Sequence, residues 1–160
     1  MNMVSGIFEF ADCDLIVALH NDIACSDAEW DSYLALLIPY KVKRRATDRL
    51  RGFTLTDGGG PNAKQRNRLV QTVDTTLESK LFRGAVISES ATIRGIVTAL
   101  QWLRPSGLKC FSPQQLGLAA AYDGVHENEM PQLIKQCEGL AKQVGCRTFE
   151  RSQSRLQKVG

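Results

Sequence analysis

The 160-residue chain is 43% apolar and 23% charged, with a formal charge of +3 from 20 basic and 17 acidic residues. That balance is ordinary for a globular protein, fits one domain with a real core, and is too small in net charge to mark a nucleic-acid binder. No stretch reaches the roughly 20 apolar residues of a membrane span, and Glu9, Asp12 and Asp14 stand where a secretory signal would be apolar, so a cytoplasmic location is expected.

Residues 7–11 alternate apolar and polar as a short strand does. After the turn Asp12-Cys13-Asp14, the run Leu15-Ile16-Val17-Ala18-Leu19 suits a strand covered on both faces. Ser26-Asp27-Ala28-Glu29 is a capping box and opens a helix carrying Trp30, Tyr33, Leu34, Leu37 and Ile38, which Pro39 ends. A connection holding Lys41, Lys43, Arg44, Arg45, Arg49 and Arg51, opposed only by Asp48, leads to a strand over 51–57. Asn62 is placed to cap a helix over 62–77. A third apolar strand, Gly84-Ala85-Val86-Ile87, ends at Ser88-Glu89-Ser90, and Ser90 caps a helix with Ile93, Ile96, Val97, Leu100 and Leu103 on its buried stripe. A short strand over 109–111 precedes Ser112-Pro113, a cap with proline at the first helical position, and an alanine-rich helix to Tyr122. The last expected helix carries Met130, Leu133, Ile134, Cys137, Leu140, Ala141 and Val144. Beyond it, 146–160 reads as a frayed basic tail with Arg147, Arg151, Arg155 and Lys158, set apart from a domain over 1–145.

Strands alternating with helices imply right-handed crossovers and a largely parallel sheet with one antiparallel edge, a small α/β sandwich. The five cysteines form no C-x-x-C pair, and with two histidines they make no ligand cluster, so neither a metal nor a cofactor is expected. Trp30 and Trp102 are expected in the core.

In such a fold the loops after the parallel strands share one edge. Residues 20–26, 57–62, 88–90 and 112–114 bring His20, Asp22, Asp57, Ser88, Glu89 and Ser112 there, with Lys64 and Arg94 just inside the helices. The turn Asp57-Gly58-Gly59-Gly60-Pro61-Asn62 is the strongest local signal, because glycine is costly unless the backbone needs unusual dihedrals or close approach. It has neither the P-loop nor the dinucleotide spacing. It reads as a tight strand-to-helix turn, a protein-contact surface or an anion cradle. A triad of Ser88, His20 and Asp57 lacks a nucleophile elbow. Asp57 and Glu89 as a metal-holding carboxylate pair make a metal-dependent hydrolase the least favoured reading.

The element order resembles the STAS-like family, related to anti-anti-sigma factors. The resemblance rests on Thr56-Asp57-Gly58-Gly59-Gly60-Pro61-Asn62-Ala63 with Gln65-Arg66, Arg94-Gly95-Ile96-Val97-Thr98-Ala99-Leu100 and Phe111-Ser112-Pro113. These segments look most like a group of uncharacterised myxobacterial proteins of this type. The resemblance implies a sheet of four or five strands backed by about five helices, and a non-catalytic regulatory module that binds a partner protein. Anti-anti-sigma members carry a phosphorylatable serine at the corresponding helix start. Here 58–62 holds neither serine nor threonine, so a contact surface over Asp57, Gly58, Gly59, Gly60 and Asn62 carries over and a modification site does not. Lys64, Ser88 and Arg94 complete the candidate surface. The basic stretch points to an acidic protein partner, and a homo-oligomer is a further possibility; nucleic acid and membrane are not expected. The competing reading is a small-ligand or nucleotide sensor that holds an anion at the same helix N-terminus.

Overall fold

A strand buried on both faces must lie inside a sheet, and the apolar run after Cys13 does. The computed structural model describes residues 1–39, 49–76, 83–103 and 107–156. Its sheet has the order β1-β2-β3-β4-β5, with β1 Met3–Glu9, β2 Asp14–His20, β3 Leu50–Thr56, β4 Arg83–Ile87 and β5 Gly107–Phe111. β1 runs antiparallel to β2, and the other neighbours are parallel. Helix α1 (Asp27–Ala35) joins β2 to β3, α2 (Ala63–Thr76) joins β3 to β4, and α3 (Ala91–Leu103) joins β4 to β5. Because the chain always steps to the next strand in one direction, right-handed crossovers put α1, α2 and α3 on one face. Three more helices, α4 (Leu116–Tyr122), α5 (Met130–Val144) and α6 (Arg147–Leu156), follow the last strand.

The alternation of β2 divides the core. Ile16 and Ala18 pack with Trp30, Tyr33, Leu34 and Leu37 on the first face. Leu15, Val17 and Leu19 pack with Phe53, Leu55 and Ile87, and with Leu116, Leu133, Cys137 and Phe149 from α4, α5 and α6. The mixed five-stranded α/β sandwich is the expected one.

Several expectations shift. β1 begins at Met3 rather than at residue 7, and the hairpin closes where Phe10 N–H donates to the Cys13 carbonyl at 2.8 Å; Ser5-Gly6 had hidden its first half. Residues 147–156 form a helix rather than a frayed tail. Cys146, Thr148, Phe149 and Ser152 are buried there, so one aromatic at the right spacing with small polar neighbours anchors a segment whose basic residues dominate its composition. Trp102 is 83% exposed rather than in the core. At about 100° per residue it lies about 180° around α3 from the buried Ile93. Trp30 is buried, as expected. Of the basic connection, 40–48 lies outside the described residues; Arg49 bonds the Phe10 and Ala11 carbonyls at 2.8 and 3.1 Å.

Two buried titratable groups pull stability in opposite directions. Burial lowers His20 from 6.5 to about 4 and raises the Asp123 carboxyl from 3.8 to about 7. Among the described residues each has one polar atom without a hydrogen-bond partner, His20 Nδ1 and Asp123 Oδ1. Below its ordinary pKa the unfolded His20 takes up a proton that the folded one refuses, so this group costs stability as pH falls from 6.5 towards 4. The folded Asp123 keeps a proton that the unfolded chain has released, so this group costs stability as pH rises from 3.8 towards 7. At 1.36 kcal/mol per unit each cost reaches about 3–4 kcal/mol, and between pH 4 and 6.5 their opposite slopes with pH offset. Urea unfolding of Asp123→Asn against the parent chain between pH 4.5 and 6.5 checks this. The difference in stability, variant minus parent, is expected to grow with pH by about 2–3 kcal/mol, and a flat difference would contradict the assignment.

Candidate functional site

The edge at the carboxyl ends of the parallel strands is assembled mostly from backbone. Asp57 N–H donates to the His20 carbonyl at 3.2 Å, and Gly59 N–H to the Asn21 carbonyl at 2.9 Å. Ser88 Oγ donates to the Thr56 carbonyl at 2.7 Å, and Ser88 N–H to the Phe111 carbonyl at 3.0 Å. The loops after β2 and β3 thus meet directly, and the loop after β4 is tied to the ends of β3 and β5. Thr56 shapes the glycine turn: its hydroxyl donates to the Gly59 carbonyl at 2.5 Å and accepts from Gly58 N–H at 3.1 Å.

Two of the three glycines are required. Gly58 has φ of +131°, a conformation that costs any residue with a Cβ. A Cβ on Gly59 would stand 2.3 Å from the Ile23 carbonyl oxygen and 2.4 Å from that of Asn21. Gly60 is different, since its Cβ would make ordinary contact with Ile93 Cδ1 at 3.6 Å. Close approach of two loops, not a phosphate cradle, explains Gly59.

Asn62 caps α2. Its Oδ1 accepts from Gln65 N–H at 2.9 Å, while Gln65 Oε1 accepts from Asn62 N–H at 2.9 Å. Gln65 is buried, and its Nε2 reaches Asp27 Oδ1 at 2.9 Å and the Cys25 carbonyl at 3.3 Å. Trp30 Nε1 donates to the Gln65 carbonyl at 2.9 Å, so the starts of α1 and α2 are tied together. Sequence reasoning singled out Asn62 and passed over Gln65, although the N-x-x-Q spacing of a capping box was there to read.

Asp57 is not an open carboxylate. Its side chain is 4% exposed and caps α6, accepting Thr148 N–H at 2.6 Å and Arg147 N–H at 2.9 Å. Arg147 Nε adds a contact at 3.4 Å, and its guanidinium continues to Asp22 at 2.9 Å. Thr148 Oγ1 donates to the Thr56 carbonyl at 3.0 Å. Farther along α6, Arg151 pairs with Glu89. The tail arginines thus meet the acidic residues of the rim, a complementarity that spacing along the chain did not reveal.

His20 and Ser88, expected on a polar rim, are each 2% exposed. His20 is held neutral by burial. The Ser88 hydroxyl donates to a carbonyl, and its oxygen accepts Ser90 N–H at 3.1 Å. Ser88 and Asp57 therefore spend their side chains on backbone groups, and no hydrogen bond joins His20 Nδ1 to either. Lys64, Glu89 and Arg94 are exposed, with Arg94 Nη2 at 3.5 Å from the Glu89 carbonyl. Ser112 is half-buried, and its N–H bonds Gln115 Oε1 at 3.0 Å. Among the described residues no group of three His, Cys, Asp or Glu side chains is placed to hold a metal ion, and no helix is long and apolar enough to cross a membrane. What faces outward beside the turn is Ile23, 56% exposed, with Asn62, Ala63 and Lys64. An open groove of about 420 Å³ lies farther along α1 and α2, between Leu34, Ile38 and the Asp31–Arg68 ion pair.

No protein-family model and no curated protein matches the sequence. Among solved structures, the chain is similar to an uncharacterised protein of the DUF3478 family with a SpoIIAA-like fold from Shewanella loihica PV-4. The TM-score is 0.54 at 12% identity, over 76% of this chain and 93% of that one. At that identity the likeness is one of fold. It agrees with the STAS-like architecture that the turn and the element order had suggested.

Gly59→Ala should cost about 3 kcal/mol or more, because backbone oxygens cannot yield as a side chain can, and Gly58→Ala about 1–3 kcal/mol. Gly60→Ala should stay within about 0.5 kcal/mol. Chemical denaturation of the three variants tests that order. Asp57→Ala should cost about 2–3 kcal/mol by leaving the α6 N–H groups and Arg147 unmatched. Amide hydrogen exchange should rise over 147–152 more than over α2; equal rises in both helices would deny Asp57 its capping role.

Proposed function

We propose that this chain is a non-catalytic regulatory or assembly module that binds a partner protein through the edge around 57–62. The observation that carries the reading is a division of labour within the turn. Asp57, Gly58 and Gly59 are held from beneath, through α6 and the Asn21–Ile23 backbone. Asn62, Ala63, Lys64 and the neighbouring Ile23 are exposed, with Gly60 half-buried beside them. A rigid tip with an exposed apolar side chain beside a cation suits recognition, because little order is lost on docking. Arg94, on the next helix start, extends the cationic side towards an acidic partner, while Ser88 supports the edge from within. The SpoIIAA-like fold is consistent with this use, as is the absence of a serine or threonine in 58–62, which argues for recognition without a phosphorylation switch. The reading places the module in the bacterial cytoplasm, in signalling, near the myxobacterial proteins whose motif it resembles.

The competing reading, an anion or nucleotide sensor at the α2 N-terminus, keeps less of its donor set. The capping box commits Gln65 N–H to Asn62, leaving the amides of Ala63 and Lys64. A metal-dependent hydrolase loses Asp57 to α6 and Glu89 to Arg151.

A photo-crosslinking residue at Ala63, with one at exposed Lys142 on α5 as control, tests the assignment in extract of the native cell. A discrete adduct at least threefold stronger from Ala63, and weakened by Lys64→Glu, is expected. Equal labelling from both positions would move the contact surface elsewhere. Thermal unfolding with inorganic phosphate or ATP separates the sensor reading, since a ligand at 100 times its dissociation constant adds about 2.7 kcal/mol; no shift is expected.

A further inference from the structure

β1 is an edge strand whose open side carries an unusually specific set of unmet backbone groups. Asn21 N–H donates to the Asn2 carbonyl, and Phe10 N–H to the Cys13 carbonyl. Both pairs lie in the register that runs from Met3↔His20 to Glu9↔Asp14. Bonded and non-bonded pairs alternate in an antiparallel ladder. Residues 4, 6 and 8 therefore bond to β2, while Met3, Ser5, Ile7 and Glu9 turn their N–H and C=O groups outward.

At the two ends the protein satisfies one group each. Met3 N–H donates to Glu29 Oε1 at 3.3 Å, and the Glu9 carbonyl accepts from Gln132 Nε2 at 3.3 Å. The Met3 carbonyl, the Glu9 N–H and both groups of Ser5 and Ile7 have no hydrogen-bond partner among the described residues. The strand Met-Val-Ser-Gly-Ile-Phe-Glu has no lysine, proline or bulge, the devices that usually blunt an edge. Its residues from Val4 to Phe8 are half-buried, with α1 and α5 packed against it.

We propose that β1 pairs with β1 of a second copy of this chain, antiparallel about a two-fold axis at Gly6, so that one sheet continues through both copies. In that register Ser5 faces Ile7 of the second copy, and each residue exchanges both hydrogen bonds with the other. Met3 faces Glu9 of the second copy, whose N–H donates to the Met3 carbonyl. The complementary bond in that pair would join Met3 N–H to the Glu9 carbonyl, and these are the two groups already capped within each chain. The unmet groups are thus self-complementary in one register, as a two-fold interface requires. A foreign strand would need no such symmetry. At the axis the facing residues are glycines. This surface is separate from the turn at 57–62, and the inference stands without the partner-binding reading.

Sedimentation equilibrium and a cysteine probe test it. The full chain should sediment at twice 17.7 kDa at micromolar concentration. Ser5→Pro, which deletes an outward N–H and spares the ladder to β2, should weaken association at least tenfold. Gly6→Cys should form a disulfide-linked dimer under mild oxidation at least tenfold faster than Gly139→Cys on α5. Facing residues of a non-bonded pair lie about 4.5 Å apart at Cα, within disulfide reach, and a Cβ at Gly6 meets only the Phe8 ring, at 3.2 Å. A monomer at millimolar concentration overturns the proposal, as does a folded Ser5→Pro chain that still dimerises with unchanged affinity. Should Ser5→Pro fail to fold, the Gly6→Cys rate decides, and parity with Gly139→Cys overturns it.

Discussion

One carboxylate at the end of β3 holds together two parts of the molecule far apart in sequence. Asp57 is anchored by its own N–H to the end of β2 and by its side chain to the first turn of α6. The first helical amides carry partial positive charge and lack partners within their own helix, so a buried anion is the natural complement. Without it the first two turns of α6 would have Phe149 as their large apolar anchor among polar neighbours. With it, Thr148, Phe149 and Ser152 are buried together, and the face of the sheet over Leu55 and Ile87 is closed. The glycine turn begins at the next residue, so its geometry inherits the position that this contact fixes.

Local signals carried much of this architecture. The β2 run, the Ser26 capping box, the Ser112-Pro113 start and the periodicity of α5 each depend on residues within a few positions of one another, and each is where the spacing put it. The largely parallel sheet with its antiparallel edge followed from the alternation of strands and helices. Much of what escaped depended on partners distant along the chain. α6 was illegible because its stabilising groups, Asp57, Asp22 and Glu89, lie 62–125 residues away. Gly59 was legible as a constraint but not as to its cause, since the Asn21 and Ile23 carbonyls that exclude a side chain leave no mark near it. Trp102 has a residue type that usually seeks the core, but its angle around α3 puts it in water.

The same contacts bear on the chemistry open to the edge. A proton relay needs a chain of hydrogen bonds, and here Ser88 and Asp57 are turned to backbone groups while His20 Nδ1 is bonded to neither. His20 is desolvated and neutral, Ser88 serves the Thr56 carbonyl, and Asp57 serves backbone amides. Those bonds tie the turn to β2 on one side and to α6 on the other.

The two tryptophans divide the protein into an inner and an outer optical reporter. Trp30 is 3% exposed, stacked on Tyr33 at 5.1 Å and bonded to the Gln65 carbonyl, so its emission follows the junction of α1 and α2. Trp102, almost wholly in water, follows whatever approaches the outer face of α3. A soluble quencher silences the second and spares the first. The intact chain therefore distinguishes, with no added label, an event that reshapes its interior from one that covers its surface.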